Sequence, residues 1–153
     1  MAQRDSQEPL DSAAALQVIG RALVEAVPAG WCRIRCEFRG TIQIDGAGLQ
    51  AIFDDGSSTN YRVPGIVWEE FNELRAAHYQ PGKGTWFTAR YVVERSGDYT
   101  IEFDYDNEPA FVPQLTPGAY LLDFEYYPRD AANTPEWLRE MLQEARASKT
   151  SHP

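Results

Sequence analysis

Histidine and cysteine, which supply many catalytic bases, metal ligands and nucleophiles, are scarce in this chain: there are two of each among 153 residues. A nucleophile–base pair needs a Ser or Cys within hydrogen-bond reach of a base such as His. His78 comes at the end of a predicted helical stripe, where a packed histidine is the more common occurrence, and His152 is the penultimate residue. The sequence therefore predicts no catalytic dyad and no cofactor, and we do not expect an enzyme.

The two cysteines are too far apart to form a disulfide with each other. Cys32 and Cys36 are separated by four positions in an alternating segment, which places their Cα atoms about 13 Å apart on a strand at ~3.3 Å per residue. A disulfide requires a Cα separation below ~7 Å. We expect two buried, reduced thiols.

Long apolar runs and an excess of basic charge are also missing. No run approaches the roughly 18 apolar residues of a membrane span, and residues 1–9 lack the apolar stretch of a secretory signal. Fourteen Lys and Arg against 23 Asp and Glu give a formal charge of -9, which repels phosphate backbones and anionic lipids. The sequence predicts a cytoplasmic protein that binds neither nucleic acid nor membranes, and its charge favours a basic partner.

What the chain does contain is enough for one domain. A length on the order of 100–200 residues is usual for a single core, and the hydrophobic fraction of 43% is that of a globular protein. We expect a flexible tail over 1–10, one α+β domain over 11–147, and a second flexible tail over 148–153.

The periodicity of apolar residues predicts the elements of that domain. Three-and-four spacing indicates helices over 11–27 and 67–78, and Thr134, as a cap before Pro135, begins a third that runs to about 146. The type of segment 119–127, helix or edge strand, is left open. Alternation indicates strands over 31–38, 41–45, 49–53, 85–94 and 99–106. The fold class expected is α+β, an antiparallel sheet of about five or six strands with helices packed on one face.

The last predicted hairpin carries a run of acidic residues. Alternation places Glu102, Asp104 and Asp106 on one face, and Asp54 and Asp55 lie in an earlier loop. Side chains on one face of a flat strand diverge in steps of ~6–7 Å, which suits a metal site poorly. A solvated sheet face and a surface for a basic partner are the alternatives that remain. These five carboxylates are the candidate partner-binding residues, because Asp and Glu rarely point inward without partners.

Four groups of residues lie in a characteristic order along residues 16–142. They are Ile19-Gly-Arg-Ala-Leu23 before Pro28-Ala-Gly-Trp31, Pro81-Gly-Lys-Gly-Thr-Trp-Phe-Thr-Ala-Arg-Tyr91, Phe103-Asp-Tyr-Asp106, and Tyr127-Pro-Arg-Asp130 before Pro135-Glu-Trp-Leu138. In order and spacing the chain resembles the YezG-like family of immunity proteins, or antitoxins, in its actinobacterial form. None of the segments is a catalytic signature.

The resemblance implies a small α+β domain that protects its own cell by binding a cognate polymorphic toxin and blocking the toxin's active site. The implied toxin is a nuclease or an NAD-consuming enzyme. A chaperone or adaptor for a secreted effector is the alternative, since it would also be small, acidic and without catalysis. An enzyme with a carboxylate or metal site is the third and least favoured alternative. The tryptophans in the matching segments, Trp31, Trp86 and Trp137, are expected to pack in the core.

Overall fold

The computed structural model describes residues 12–150, which form four α-helices and five strands. The predicted tail over 1–10 lies outside the described residues. In chain order the elements are α1 (Ser12–Ala26), β1 (Trp31–Gly40), β2 (Asp45–Phe53), β3 (Ser58–Tyr61), α2 (Gly65–Ala77), β4 (Thr88–Glu94), β5 (Tyr99–Asp104), α3 (Pro117–Tyr126), a single 3-10 turn (Ala131–Asn133) and α4 (Glu136–Thr150).

The described strands form one antiparallel sheet in the order β3-β2-β1-β4-β5, so the predicted α+β class is confirmed. The β4–β5 hairpin is also confirmed, with Val93 opposite Tyr99 and Thr88 opposite Asp104. Helix α4 continues to Thr150, past residue 147 at which the domain was predicted to end. Among the described residues, no helix is long and apolar enough to cross a membrane.

The predicted strands 41–45 and 49–53 are in fact a tight turn followed by one strand, β2. Thr41 and Ile44 close the turn, with the Thr41 amide donating to the Ile44 carbonyl over 2.8 Å. Gly46, which lies between the two predicted strands, is paired inside β2 opposite Arg39. A Cβ at Gly46 would lie 3.3 Å from the Arg39 guanidinium. The glycine therefore makes room for a side chain and does not end the strand.

Trp31 packs toward the core, as expected, although simple alternation along β1 would place it on the face of Arg33. The pairing of β1 with β2 shifts between Trp31 and Arg33, as in a β-bulge. This shift turns Trp31 toward the core, where it packs partly buried against the main cluster. Arg33 and the later odd-numbered residues of β1 remain on the polar face.

The main core lies between α1, α2 and one face of the sheet. The predicted stripe of α1 is buried there. Phe38 of β1 stacks on Phe71 of α2, with ring centroids 5.2 Å apart, and meets the edge of Trp86 at 6.0 Å. Trp86 is fully buried, as expected. The core thus covers one face of the sheet and leaves the other without a helix from α1 or α2.

The segment 119–127, whose secondary structure was left open, forms most of helix α3 and its C-cap. Helix α3 packs on α4 in a second cluster. Phe87, just before β4, joins this cluster, with its ring 5.4 Å from that of Trp137. The hydroxyl of Thr134 donates to the Asp130 carbonyl over 2.9 Å. Buried members of the second cluster are Phe87, Tyr120, Leu121, Leu138, Leu142 and Ala145.

The two cysteines differ in burial, and this predicts different reactivity. Both are free thiols, but Cys36 is buried whereas Cys32 is only partly so. Burial raises the pKa of Cys36 to about 12, so its reactive thiolate is scarce near neutral pH. We expect Ellman's reagent to titrate one thiol rapidly in the folded protein and both in urea. Rapid reaction of both thiols in the folded protein would contradict this assignment.

Candidate partner-binding surface

Three of the four segments that carry the family resemblance, those beginning at Pro81, Phe103 and Tyr127, meet in the structure around Arg129. Its guanidinium donates to the carbonyls of Thr85 at 2.9 Å, Tyr105 at 2.8 Å and Asn133 at 3.1 Å. The guanidinium carbon also lies 5.0 Å from the centroid of the Phe87 ring. Arg129 is buried, and burial lowers the pKa of its guanidinium. We call this group the Arg129 hub.

Further backbone contacts tie the same segments together. The Asp130 amide donates to the Gly82 carbonyl over 2.7 Å, and Trp137 Nε1 donates to the Asp106 carbonyl over 2.7 Å. A Cβ at Gly84 would lie 2.6 Å from Arg129 Nε. The order of these three segments therefore has a structural explanation, since each supplies one part of the hub, whereas the segment over 19–31 packs in the main core instead.

A second buried arginine lies beside the hub. Arg75 of α2 makes two parallel contacts of 2.8 Å with the carboxylate of Asp123 on α3. Its Nε donates to the Trp86 carbonyl over 2.7 Å, while Asp123 also accepts from the Ile42 amide over 2.6 Å. The ion pair therefore links α2 to α3, and the contact of Arg75 with Trp86 lies just before β4. No pattern in the sequence predicted this pair, although Arg75 directly follows the buried Leu74 on a predicted helix.

His78 is a packed helix-end histidine, as expected, and it contacts a serine. Trp86 Nε1 donates to His78 Nδ1 over 2.9 Å, and His78 Nε2 lies 3.2 Å from Ser12 Oγ. An indole N–H can only donate, so Nδ1 accepts and the neutral ring carries its proton on Nε2. That nitrogen donates toward Ser12 and is therefore not placed to take the serine proton.

The sheet face opposite α1 and α2, which we call the open face, is covered by paired charges. Arg90 of β4 contacts Glu37 at 3.2 Å, Glu102 at 3.5 Å and Asp104 at 3.3 Å. On β1, Arg39 contacts Glu37 at 2.7 Å, and Arg33 contacts Glu94 at 3.2 Å. The predicted acidic stripe is therefore one side of a mixed network of arginines and carboxylates.

The three candidate carboxylates of the hairpin have different environments. Glu102 is on the open face with 70% of its side chain exposed, whereas the side chain of Asp104 is only 12% exposed. Asp106 lies beyond the end of β5, is 81% exposed, and is 3.9 Å from Arg129. The prediction that all three share one strand face is wrong, because β5 ends at Asp104.

Asp104 ends the strand through its own hydrogen bonds. Its Oδ1 accepts from the backbone amides of Asp106 at 3.2 Å and Asn107 at 3.1 Å. Burial raises the pKa of Asp104, but hydrogen bonds from Asn107, Asp106 and Arg90 outweigh it, and the pKa lies below its ordinary value. The stabilisation is present above the ordinary pKa of Asp and is lost as the pH falls through the lowered value.

Asp54 and Asp55 lie at the other end of the sheet, in the turn between β2 and β3. Asp54 forms an ion pair with Arg95 in the β4–β5 turn. Asp55 accepts from the Ser57 hydroxyl at 2.6 Å and amide at 2.9 Å, which lowers its pKa. The structure therefore does not bring the five candidates together: two lie at one end of the sheet, two at the other, and Glu102 between them.

No family model matches the chain, and no curated protein matches it. Within residues 12–150, no group of three or more His, Cys, Asp or Glu side chains is placed to hold a metal ion. The open face, with the exposed charges that its paired strands present, is therefore the candidate binding surface.

Proposed function

We propose that the protein is an immunity protein of the YezG-like type, which acts in the cytoplasm. It neutralises a cognate polymorphic toxin by stoichiometric binding and active-site occlusion, and has no catalysis of its own. One observation supports this most: three of the segments that carry the resemblance build a buried hub, while the sheet face opposite α1 and α2 presents exposed charges. A fold that combines a rigid scaffold with a broad charged face is suited to binding another protein.

The charges of the open face suit a polar protein interface. Arg33, Glu94 and Glu102 have between 43% and 70% of their side chains exposed. Complementary charges speed association and select partners more than they raise affinity. The net charge of -9 attracts a basic partner, and a nuclease with a positive groove fits this description. An NAD-consuming toxin is the other class that the resemblance implies.

The test of this function is inhibition at a defined ratio. The tagged protein is used to isolate the partner from the source cell, the partner is identified by mass spectrometry, and its catalytic domain is assayed against increasing amounts of this protein. We expect activity to be abolished at one equivalent. A partner that stays active in the complex would favour the chaperone or adaptor, and the absence of any stoichiometric partner would contradict binding.

The electrostatic contribution of the open face is tested by charge reversal. Combining Glu94→Lys with Glu102→Lys should slow association with the toxin domain by about tenfold, at the low end of electrostatic steering. Asp104 is left intact because its replacement would also disturb the chain after β5. Association rates are measured by stopped flow at low and high salt, and the difference should shrink as salt screens the charges.

The matched control changes the same charge elsewhere. Glu140→Lys combined with Glu144→Lys alters two exposed residues of α4. This variant should associate within about threefold of the wild-type rate, since α4 packs on α3 and its charges do not belong to the open face. Equal slowing by both variants would show an effect of net charge alone and would remove the open face from the proposal.

A further inference from the structure

Within residues 12–150, one arginine at the centre of the open face differs from the others on that face in having no carboxylate partner. Arg33, Arg39 and Arg90 each contact a glutamate. Arg35 lies on the same face of β1, the central strand of the sheet, and it is exposed. Among the charged residues that the structure describes, none forms an ion pair with Arg35.

Two amide side chains extend from Arg35 across the neighbouring strands. Arg35 is paired with Gln50 of β2, and Gln50 with Asn60 of β3. Directly opposite residues of adjacent strands have Cβ atoms ~4.5–5.5 Å apart, so the three side chains stand next to one another. Within the described part of the chain, neither amide side chain forms a hydrogen bond. We call these three residues the Arg35 row.

The surface beside the Arg35 row is concave. Gly48 of β2 has no side chain, and a Cβ built there would meet no atom within 4 Å. The depression has a volume of about 570 Å³ and is lined on the open face by Arg35, Glu37, Arg39, Gly48, Gln50 and Asn60. A projecting side chain from another molecule has room to reach the guanidinium.

We infer that the Arg35 row is a binding site for a carboxylate, an Asp or Glu side chain on the surface of the partner protein. The guanidinium presents a planar fork of donors that matches a carboxylate in two parallel hydrogen bonds, and the amide groups of Gln50 and Asn60 supply further donors. The inference rests on the proposed function, in which the partner is the cognate toxin.

The surroundings favour a carboxylate of a protein over other anions. Glu37, two positions along β1 on the same face, already pairs with Arg39 and Arg90, so within the described chain one guanidinium of the depression is left for an anion, which suits a singly charged carboxylate. Small-molecule sites usually enclose most of the ligand, whereas this depression lies open on a flat sheet. A carboxylate that projects from a protein surface fits both conditions.

The first experiment tests the site without the toxin. The ¹⁵N-labelled protein is titrated with the peptide acetyl-Ala-Glu-Ala-amide, its Gln counterpart and inorganic phosphate, while the Nε–Hε resonances of its arginines are followed by NMR. We expect a saturable shift of the Arg35 resonance with the Glu peptide alone. No shift at Arg35, equal shifts at all exposed arginines, or an equal response to phosphate would each overturn the carboxylate assignment.

The second experiment measures the contribution of Arg35 to toxin binding. Arg35→Gln should weaken the affinity at least about 30-fold, the effect of losing an interface hot spot. Arg35→Lys should also weaken it, because a lysine keeps the charge but not the fork. Arg21→Gln removes the same charge from an exposed position of α1, on the other side of the sheet, and should change the affinity less than about fivefold. Thermal unfolding of each variant verifies that it is folded.

The outcomes separate this inference from the proposed function. If the wild-type protein inhibits the toxin and Arg35→Gln inhibits it equally well, the site is wrong and the function stands. If no toxin is inhibited, the proposed function fails, and the peptide titration still decides whether Arg35 binds carboxylates.

Discussion

Asp123→Ala is expected to lower the free energy of unfolding by about 3–5 kcal/mol, the usual effect of breaking a buried ion pair from one side. The side chains of Arg75 and Asp123 are 3% and 5% exposed. Without the carboxylate, the Arg75 guanidinium stays buried with an uncompensated charge. The Ile42 amide also loses its acceptor. The cost therefore comes mainly from groups left unpaired and exceeds the net value of the pair itself.

Urea unfolding followed by tryptophan fluorescence measures this loss, and an exposed ion pair provides the control. Glu136 contacts Arg139 at 2.7 Å on the surface of α4, so Glu136→Ala should cost less than about 1 kcal/mol. Combining Asp123→Leu with Arg75→Met removes both charges, and it should recover part of the stability lost in Asp123→Ala. A loss below about 1 kcal/mol for Asp123→Ala would show that the pair does not link α2 to α3.

Gly84→Ala is expected to have the second large effect, because it acts on the Arg129 hub. Gly84 has a φ of +74°, and a Cβ would lie 2.7 Å from Cγ of Arg129. The new methyl group would displace a guanidinium that donates to three backbone carbonyls. A buried hydrogen bond from a charged group contributes about 1.5–3 kcal/mol, so displacing Arg129 should be severe.

Gly97→Ala separates the effect of the backbone from that of the hub. Gly97, in the β4–β5 turn, has a φ of +95°, and a Cβ there would meet nothing within 4 Å. It should lose only the ~1–2 kcal/mol expected for a left-handed backbone. In the same urea assay, Gly84→Ala should lose at least about 2 kcal/mol more. Equal losses in the two variants would mean that Arg129 adapts and that the hub is not rigid.

Elements with a strong local pattern were predictable from sequence. The apolar stripe of α1, the alternation in β4 and β5, and the turn residues between these strands each follow from contacts a few positions apart. The sequence did not predict helix α3 because residues on its different faces contact different parts of the protein, which leaves no single apolar stripe. Tyr120 and Leu121 pack toward the second cluster, whereas Asp123 turns to Arg75.

The candidate site was less predictable than the fold. Alternation predicted that Glu102 and Asp104 lie on the same face of the sheet. Their partner Arg90 lies on the neighbouring strand, and the contacts depend on the register of β4 with β5. The end of β5 at Asp104 depends on side-chain hydrogen bonds to the next residues. The Arg35 row requires three strands to be placed side by side, which no local pattern specifies.

The sequence was enough to predict the α+β class, the main helical and strand segments, the burial of Trp86 and the acidic net charge. These depend on composition and on periodicity within each element. Only the folded structure shows that Glu102 and Asp104 pair with Arg90. It also shows that Arg75 and Arg129 are buried and that Arg35 has no carboxylate partner in the described chain. The physical reason is that the electrostatic environment of a charge is set by neighbours across strands and layers, which lie far away in sequence.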